Sequence, residues 1–161
     1  MKKKAIIISI NGTSLTRKEK ILLSKEKPWG LILFKRNIKT FPQIKNLILN
    51  IRELSKDKKF PILIDEEGRS VSRLRDIYKH EFDASFFGSL YRNDKEIAVN
   101  LYKNYIKSLC HKLSQIGINI NTIPVLDIIR GNTNDVIGNR SFSDKKNIVK
   151  KLGQITVEEC H

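Results

Sequence analysis

Charged side chains follow a short apolar segment near the middle of the chain. Residues 61–64, Pro-Ile-Leu-Ile, are apolar and mostly branched, which is typical of a strand buried on both faces of a parallel sheet. The next residues supply three carboxylates, one glycine and three guanidinium groups: Asp65, Glu66, Glu67, Gly68, Arg69, Arg73 and Arg75. Because α/β proteins bind ligands outside the carboxyl ends of their strands, this order predicts a ligand site. A solvated loop with surface ion pairs is the alternative.

The length favours a single domain over residues 1–161. The composition, with 40% apolar and 7% aromatic residues, is typical of a soluble globular protein. The formal charge of +14 and the pI of about 9.9 suggest an anionic partner. However, the lysines are spread along the whole chain and no aromatic residues interleave with a basic stripe. We therefore predict no nucleic-acid partner, and a basic nucleic-acid-binding protein stays an alternative.

Cysteine usage and the first residues bear on location. The two cysteines, Cys110 and Cys160, both lie in helical patterns, so no disulfide framework or metal cluster is implied, as expected in a reducing cytoplasm. The first apolar run, residues 5–10, is short and ends at Asn11-Gly12, which predicts a strand and not a signal peptide. No run approaches membrane-spanning length. We predict no membrane partner, no metal and no cofactor.

The hydrophobic pattern predicts alternating strands and helices. Apolar runs predict strands at 5–10, 30–34, 61–64 and 118–124. Helical spacing and capping signals predict helices from Thr16 to Pro28, from Thr40 to Leu54, over 95–116 and over 144–161. Residues 76–91 are expected to form a long loop that could include a short helix, and 131–143 a second loop. Within the third helix, Ile97, Leu101 and Tyr105 are expected on the buried face, and His111 on the solvated face.

Strands that alternate with helices form a parallel sheet, because the crossover connections are right-handed. The predicted fold class is therefore α/β, built from parallel (β/α) units, as a small open sheet or as the first half of a (β/α)₈ TIM-type barrel. A complete barrel takes about 250 residues. The 161 residues could supply only about half of one.

Four segments together resemble the amino-terminal half of family-three glycoside hydrolases. They are GLILFKRN at 30–37, ILIDEEGRSVSRLR at 62–75, GININTIPVLDI at 117–128 and VIGNRSFSD at 136–144. The resemblance is greatest to the bacterial β-N-acetylhexosaminidases that release N-acetylglucosamine from muropeptides during cell-wall recycling. It covers nearly the whole chain, and the four segments occur in the family's order.

The resemblance implies a barrel whose active site lies at the strand ends, and it implies three substrate-binding residues. Asp65 and Arg73 match the family's aspartate and the arginine eight residues later, which hold sugar hydroxyls. Arg140 matches an arginine in the loop after the fourth strand. The chemistry suits the role, because a carboxylate accepts hydroxyl hydrogens and a guanidinium donates in fixed geometry.

Three further residues are expected to support that site, namely Glu67, Gly68 and Asp127. Asp127 is expected to orient loops and not to touch the sugar. The chain departs from the family here, because the family has two glycines followed by arginine and this chain has Gly68-Arg69-Ser70.

No catalytic residue is expected in this chain. Retaining glycosidases need one nucleophile and one acid/base across the scissile bond. Asp65, Glu66 and Glu67 are neighbours in one loop and are not expected to face each other across a sugar ring, and His161 is not expected to act either. In the family, the nucleophile and the His–Asp acid/base pair lie in later segments. The expected function is thus removal of terminal β-N-acetylglucosamine, with a small carbohydrate as substrate.

These 161 residues would hold the sugar-binding half of that enzyme. Three interpretations stay open: a fragment of a longer enzyme, a degenerate non-catalytic sugar-binding module, or a half barrel that pairs with a second polypeptide or a second copy through its open strand edges.

Overall fold

The computed structural model describes residues 3–160, so His161 lies outside the described residues. Strands and helices follow each other in this order: β1 (Lys4–Ile8), α1 (Arg17–Glu26), β2 (Pro28–Leu33), α2 (Phe41–Ser55), β3 (Ile62–Ile64), α3 (Ala84–Asn93), α4 (Lys95–Ile116), β4 (Ile120–Asn121) and α5 (Lys146–Glu159). Short 3₁₀ helices cover Lys35–Asn37 and Gly138–Arg140. The residues group into two compact units, which are described separately below.

The first unit holds the sheet and consists of residues up to Asp65 together with 73–79 and 113–121. Its four strands are all parallel and lie in the order β1-β2-β3-β4. In the register, Leu31 lies opposite Ile62, and Leu63 lies opposite Ile120. The parallel sheet with its consecutive strand order is the arrangement expected from the sequence.

Burial explains the apolar runs of the central strands. Leu31, Leu33, Ile62 and Ile64 are completely inaccessible to solvent, as in a strand covered on both faces. Gly30 is needed for the close approach of β2 and β3, because a Cβ atom there would lie 3.0 Å from the Pro61 Cβ atom. The short β3 strand is thus packed closely against β2 and ends directly before the carboxylate segment.

Local signals set the ends of α1 as expected. The Thr16 side chain accepts from the Glu19 backbone N–H and the Glu19 carboxylate accepts from the Thr16 N–H, which completes a capping box. The helix ends where Lys27 adopts a left-handed conformation with φ of 48°. Pro28 and Trp29 then belong to β2, whereas the sequence pattern placed the strand start at Gly30.

The second unit is mainly helical and consists of residues 66–72, 80–112 and 122–160. Its core includes Phe87 on α3, Tyr102 and Ile106 on α4, and Leu152 on α5. Helix α3 approaches Phe142 so closely that only glycine fits at position 88.

The short helix that the sequence allowed within residues 76–91 is present, as most of the ten-residue helix α3. Two other expectations about these elements were wrong in detail. The fourth strand covers only Ile120 and Asn121, because those are the residues that pair with β3. On α4, Ile97 and Leu101 are 57% and 39% exposed, because the buried face of the helix is the adjacent row of residues that contains Tyr102. His111 is exposed as expected.

Candidate functional site

The loop after β3 is held by its own backbone and by one close contact. The backbone N–H groups of Glu67 and Gly68 both donate to the Val71 carbonyl, at 2.9 and 3.2 Å. A Cβ atom on Gly68 would lie only 2.8 Å from the Phe82 carbonyl oxygen. Glycine at position 68 therefore allows residues 66–72 to lie against the segment before α3.

The Gly68-Arg69-Ser70 segment, which departs from the family pattern, is anchored by hydrogen bonds. Ser70 donates to the Asp83 carboxylate through both its backbone N–H and its hydroxyl, at 2.7 and 2.9 Å. The Arg69 N–H donates to the Phe82 carbonyl at 3.1 Å. Asp83 flanks α3 but makes no side-chain capping bond to it, because its carboxylate is used by Ser70. Serine thus fixes the loop at the position where the family has arginine.

Asp65 and Arg73 form an ion pair within the first unit. An Nη2 group of Arg73 donates to Asp65 Oδ2 at 3.0 Å, and the two side chains are 29% and 23% exposed. The Arg73 guanidinium also lies 5.9 Å from the centroid of the Phe34 ring, within cation–π range. Arg36 lies closer to the same ring, at 4.6 Å. The two residues that the resemblance indicated therefore lie side by side and are partly open to solvent.

Glu67 and Arg140 form a bidentate ion pair within the second unit. Arg140 donates from Nε to Glu67 Oε2 at 2.7 Å and from Nη2 to Oε1 at 2.9 Å. This fork geometry is the strong form of the arginine–carboxylate contact. Arg140 is 25% exposed and Glu67 is 11% exposed. Glu67 therefore fixes the orientation of the Arg140 guanidinium, while Arg140 keeps an accessible surface.

Glu66 lies between Asp65 and Glu67 in sequence but is completely buried. Its Oε1 atom accepts from the Ser72 hydroxyl at 2.5 Å and contacts His80 Nε2 at 2.7 Å. His80 Nδ1 contacts the Tyr105 hydroxyl at 2.6 Å, and the side chains of Glu66 and His80 have no exposed surface. His80 is not predicted from the sequence, because a lone histidine in a weakly patterned segment carries no local signal. A buried, hydrogen-bonded glutamate suits anchoring of the loop and not contact with a substrate.

Asp127 lies on the surface of the second unit. Its backbone carbonyl, and not its carboxylate, makes the structural contact, accepting from the Ser141 hydroxyl at 2.5 Å. Ser141 directly follows Arg140, so this bond connects the Asp127 segment to the loop that carries the arginine. This contact depends on the main chain of Asp127, which many residue types could provide, and not on its carboxylate.

A small cavity in the second unit adjoins the Glu67–Arg140 pair. Its other lining residues are mainly aromatic or apolar and include Phe87, Tyr105 and Pro124. Its volume of about 20 Å³ is enough for about one water molecule. The cavity joins the buried hydrogen-bond chain to the site, since Tyr105 belongs to both.

Within residues 3–160, no group of three or more histidine, cysteine, aspartate or glutamate side chains could hold a metal ion. In the same residues, no helix combines the length and apolarity required to cross a membrane.

The family model "Glycosyl hydrolase family 3 N terminal domain" matches residues 3–161. The chain belongs to glycosyl hydrolase family 3. The resemblance carried by the four sequence segments is thereby confirmed.

Two curated relatives of this family 3 chain are named beta-hexosaminidase. Beta-hexosaminidases from Xanthomonas campestris pv. campestris and Xylella fastidiosa are each 30% identical over 156 residues, which is 97% of this chain and 46% of the relative. The chain thus spans about half the length of the curated relatives it matches.

Solved structures agree with that assignment. NagZ from Neisseria gonorrhoeae, in complex with N-trifluoroacetyl-D-glucosamine, superposes with a TM-score of 0.87 at 28% identity and covers 98% of this chain and 47% of that one. A family 3 β-N-acetylglucosaminidase from Paenibacillus gives a TM-score of 0.80 at 25% identity, over 96% of this chain and 29% of that one. The predicted fold class, parallel (β/α) units forming the first half of a TIM-type barrel, is confirmed.

Proposed function

We propose that this family 3 chain is the sugar-binding part of a retaining β-N-acetylhexosaminidase that removes terminal N-acetylglucosamine. We further propose that the enzyme acts in the cytoplasm on muropeptides from peptidoglycan recycling. The relatives named beta-hexosaminidase support the activity, and the bound glucosamine derivative in the gonococcal NagZ structure supports an amino-sugar ligand. The resemblance of the four sequence segments to the hexosaminidases of cell-wall recycling is the basis for proposing this pathway.

In this proposal, Asp65, Arg73 and Arg140 bind sugar hydroxyl or acetamido oxygens. The observation that carries it is that both arginines are already oriented by a carboxylate and are each about one quarter exposed. A guanidinium held in this way loses little conformational freedom when a ligand accepts one of its hydrogens. Glu67 and Gly68 support the arrangement, and Asp127 supports it through its backbone.

Binding of N-acetylglucosamine to the 161-residue chain tests these roles. The chain is labelled with ¹⁵N and titrated with the sugar to millimolar concentration while amide shifts are followed. Losing one hydrogen bond to a charged group costs about 1.5–3 kcal/mol, so Asp65→Asn or Arg140→Met is expected to weaken binding about 10- to 100-fold.

Two surface changes serve as matched controls for that titration. Asp76 is an exposed aspartate that pairs with Lys35, and Arg130 lies exposed in the loop after β4. Asp76→Asn and Arg130→Met are expected to leave the affinity unchanged. No binding by the unmodified chain, or equal losses in the controls, would contradict the assigned roles.

Turnover is expected to require groups outside this chain. A chromogenic N-acetylglucosaminide should therefore not be hydrolysed by the 161 residues alone. Measurable hydrolysis that Asp65→Asn abolishes would overturn the assignment of catalysis to another segment. Sugar binding without hydrolysis is expected whether the chain is a fragment of a longer enzyme or a non-catalytic module.

A further inference from the structure

The chain has two cysteines, and the structure brings them together. Cys110 lies on α4 and Cys160 directly follows α5, 50 positions later. Their Sγ atoms are 3.0 Å apart, and both thiols are free. Cys110 is partly buried and Cys160 is exposed, so a small reagent can reach the pair from solvent.

Neighbouring contacts between the same two helices hold the thiols in place. The Tyr102 hydroxyl and Thr156 Oγ1 lie 2.7 Å apart, both inside the core of the second unit. The Cys160 N–H donates to the Thr156 carbonyl at 3.1 Å, which keeps Cys160 in helical geometry. Glu159 accepts a salt bridge from Lys107 at 3.3 Å. The approach of the two thiols is therefore a consequence of helix packing.

The contact also makes the two thiols chemically different. The hydrogen bond from Cys160 lowers the pKa of Cys110 to about 7, against partial burial that raises it. The pKa of Cys160 is raised above its ordinary range, first because its proton is engaged by Cys110 and then by burial and by the charges of Cys110 and Glu159. Lys103 and Lys107 offset the charge of Glu159. Burial keeps the neighbouring Tyr102 neutral by raising its pKa.

We propose that Cys110 and Cys160 form a site of reversible disulfide formation with low-molecular-weight disulfides as co-reactant. The Cys110 thiolate attacks one sulfur of a disulfide such as oxidised glutathione, breaks the S–S bond and releases one glutathione thiolate. Cys160 then loses its proton and attacks the Cys110 sulfur, which releases the second glutathione. Two protein thiols are oxidised, one small disulfide is reduced to two thiols, and the two cysteine protons end on the glutathiones.

The second step is intramolecular and is therefore expected to be fast, so that the mixed disulfide does not accumulate. The product connects the end of α5 to α4 and closes a long loop. Such a crosslink restricts the unfolded chain and is expected to raise the melting temperature by about 5 °C or more.

Intact-mass measurement after reaction with oxidised glutathione tests the proposal. Unmodified chain is expected to lose two hydrogen atoms, to resist a thiol-alkylating reagent and to remain a monomer on a non-reducing gel. Cys160→Ser is expected to stop at a single stable glutathione adduct on Cys110. Adducts on both cysteines of the unmodified chain, or a disulfide-linked dimer, would overturn the proposal.

The pH dependence of the first step is a second readout. The thiolate fraction of Cys110 rises as pH passes its lowered pKa, so the reaction rate should level off above about pH 7. An ordinary thiol, with a pKa of 9.0, would still be gaining rate at pH 8. A rate that keeps rising to pH 9 would contradict an activated Cys110, and no disulfide in the product would contradict the pairing.

Discussion

Replacing His80 by alanine removes the middle of a buried hydrogen-bond chain in the second unit. Glu66 would lose its contact with Nε2 at 2.7 Å and Tyr105 its contact with Nδ1 at 2.6 Å. The imidazole and the carboxylate have no exposed surface, so the contact between them lies in the protein interior. We expect a large loss of stability, because the Glu66 carboxylate would remain in the interior.

The expected magnitude follows from burial. Leaving a buried polar group without its hydrogen-bond partner costs about 1–3 kcal/mol, and more when that group is charged. The change affects both Glu66 and Tyr105, while the Ser72 hydroxyl still donates to Glu66 at 2.5 Å, so we expect a total loss of about 3 kcal/mol. With a urea dependence of about 2 kcal/mol per molar, the unfolding midpoint should fall by about 1.5 M.

Urea unfolding followed by circular dichroism at 222 nm measures this change, since α3, α4 and α5 lie wholly or largely in the second unit. His111→Ala is the matched control, because His111 is an exposed histidine on α4. The control should shift the free energy of unfolding by no more than about 0.5 kcal/mol. Equal midpoints for the His80 and His111 variants would refute the view that the buried chain anchors the loop.

Two further predictions concern packing and a helix cap. Gly88→Ala should cost about 3 kcal/mol or more in urea unfolding, because the new Cβ would lie 1.6 Å from the Phe142 carbonyl oxygen, whereas Gly131→Ala, with no atom within 4 Å, should be nearly neutral. Partial burial raises the pKa of Glu19, but the hydrogen bonds from Thr16 and Asn11 outweigh it and leave the pKa below its ordinary value. The cap's stabilisation is then complete above the unfolded pKa and is lost as pH falls through the lower, folded value. An NMR titration in which Glu19 matches an unstructured glutamate, or equal midpoints for the two glycine variants, would contradict these expectations.

Much of the sheet could be predicted because its signals are local. Continuous runs of branched apolar residues predicted the central strands. The abrupt change in polarity after the third strand identified the charged segment that begins with Asp65. The bounds of α4 were predicted as they occur, since apolar spacing, an acidic first turn and Gly117 all agree. Asp65 and Arg73 are only eight positions apart, at the two ends of one short loop, and they form an ion pair.

Other features depend on distant partners and leave no local pattern. Glu67 and Arg140 are 73 positions apart, so the resemblance indicated Arg140 but not its carboxylate partner. His80 can be buried because its two ring nitrogens are hydrogen-bonded to Tyr105 and Glu66. The β4 strand is short because strand length is set by pairing with β3 and not by apolar content.

A crystal structure of this chain with N-acetylglucosamine is the most direct test of the proposed sugar-binding role. We expect sugar oxygens within hydrogen-bond distance of the Asp65 carboxylate and of the Arg73 and Arg140 guanidinium groups. A sugar bound elsewhere, with these three side chains unchanged and without contact to it, would contradict the proposed role.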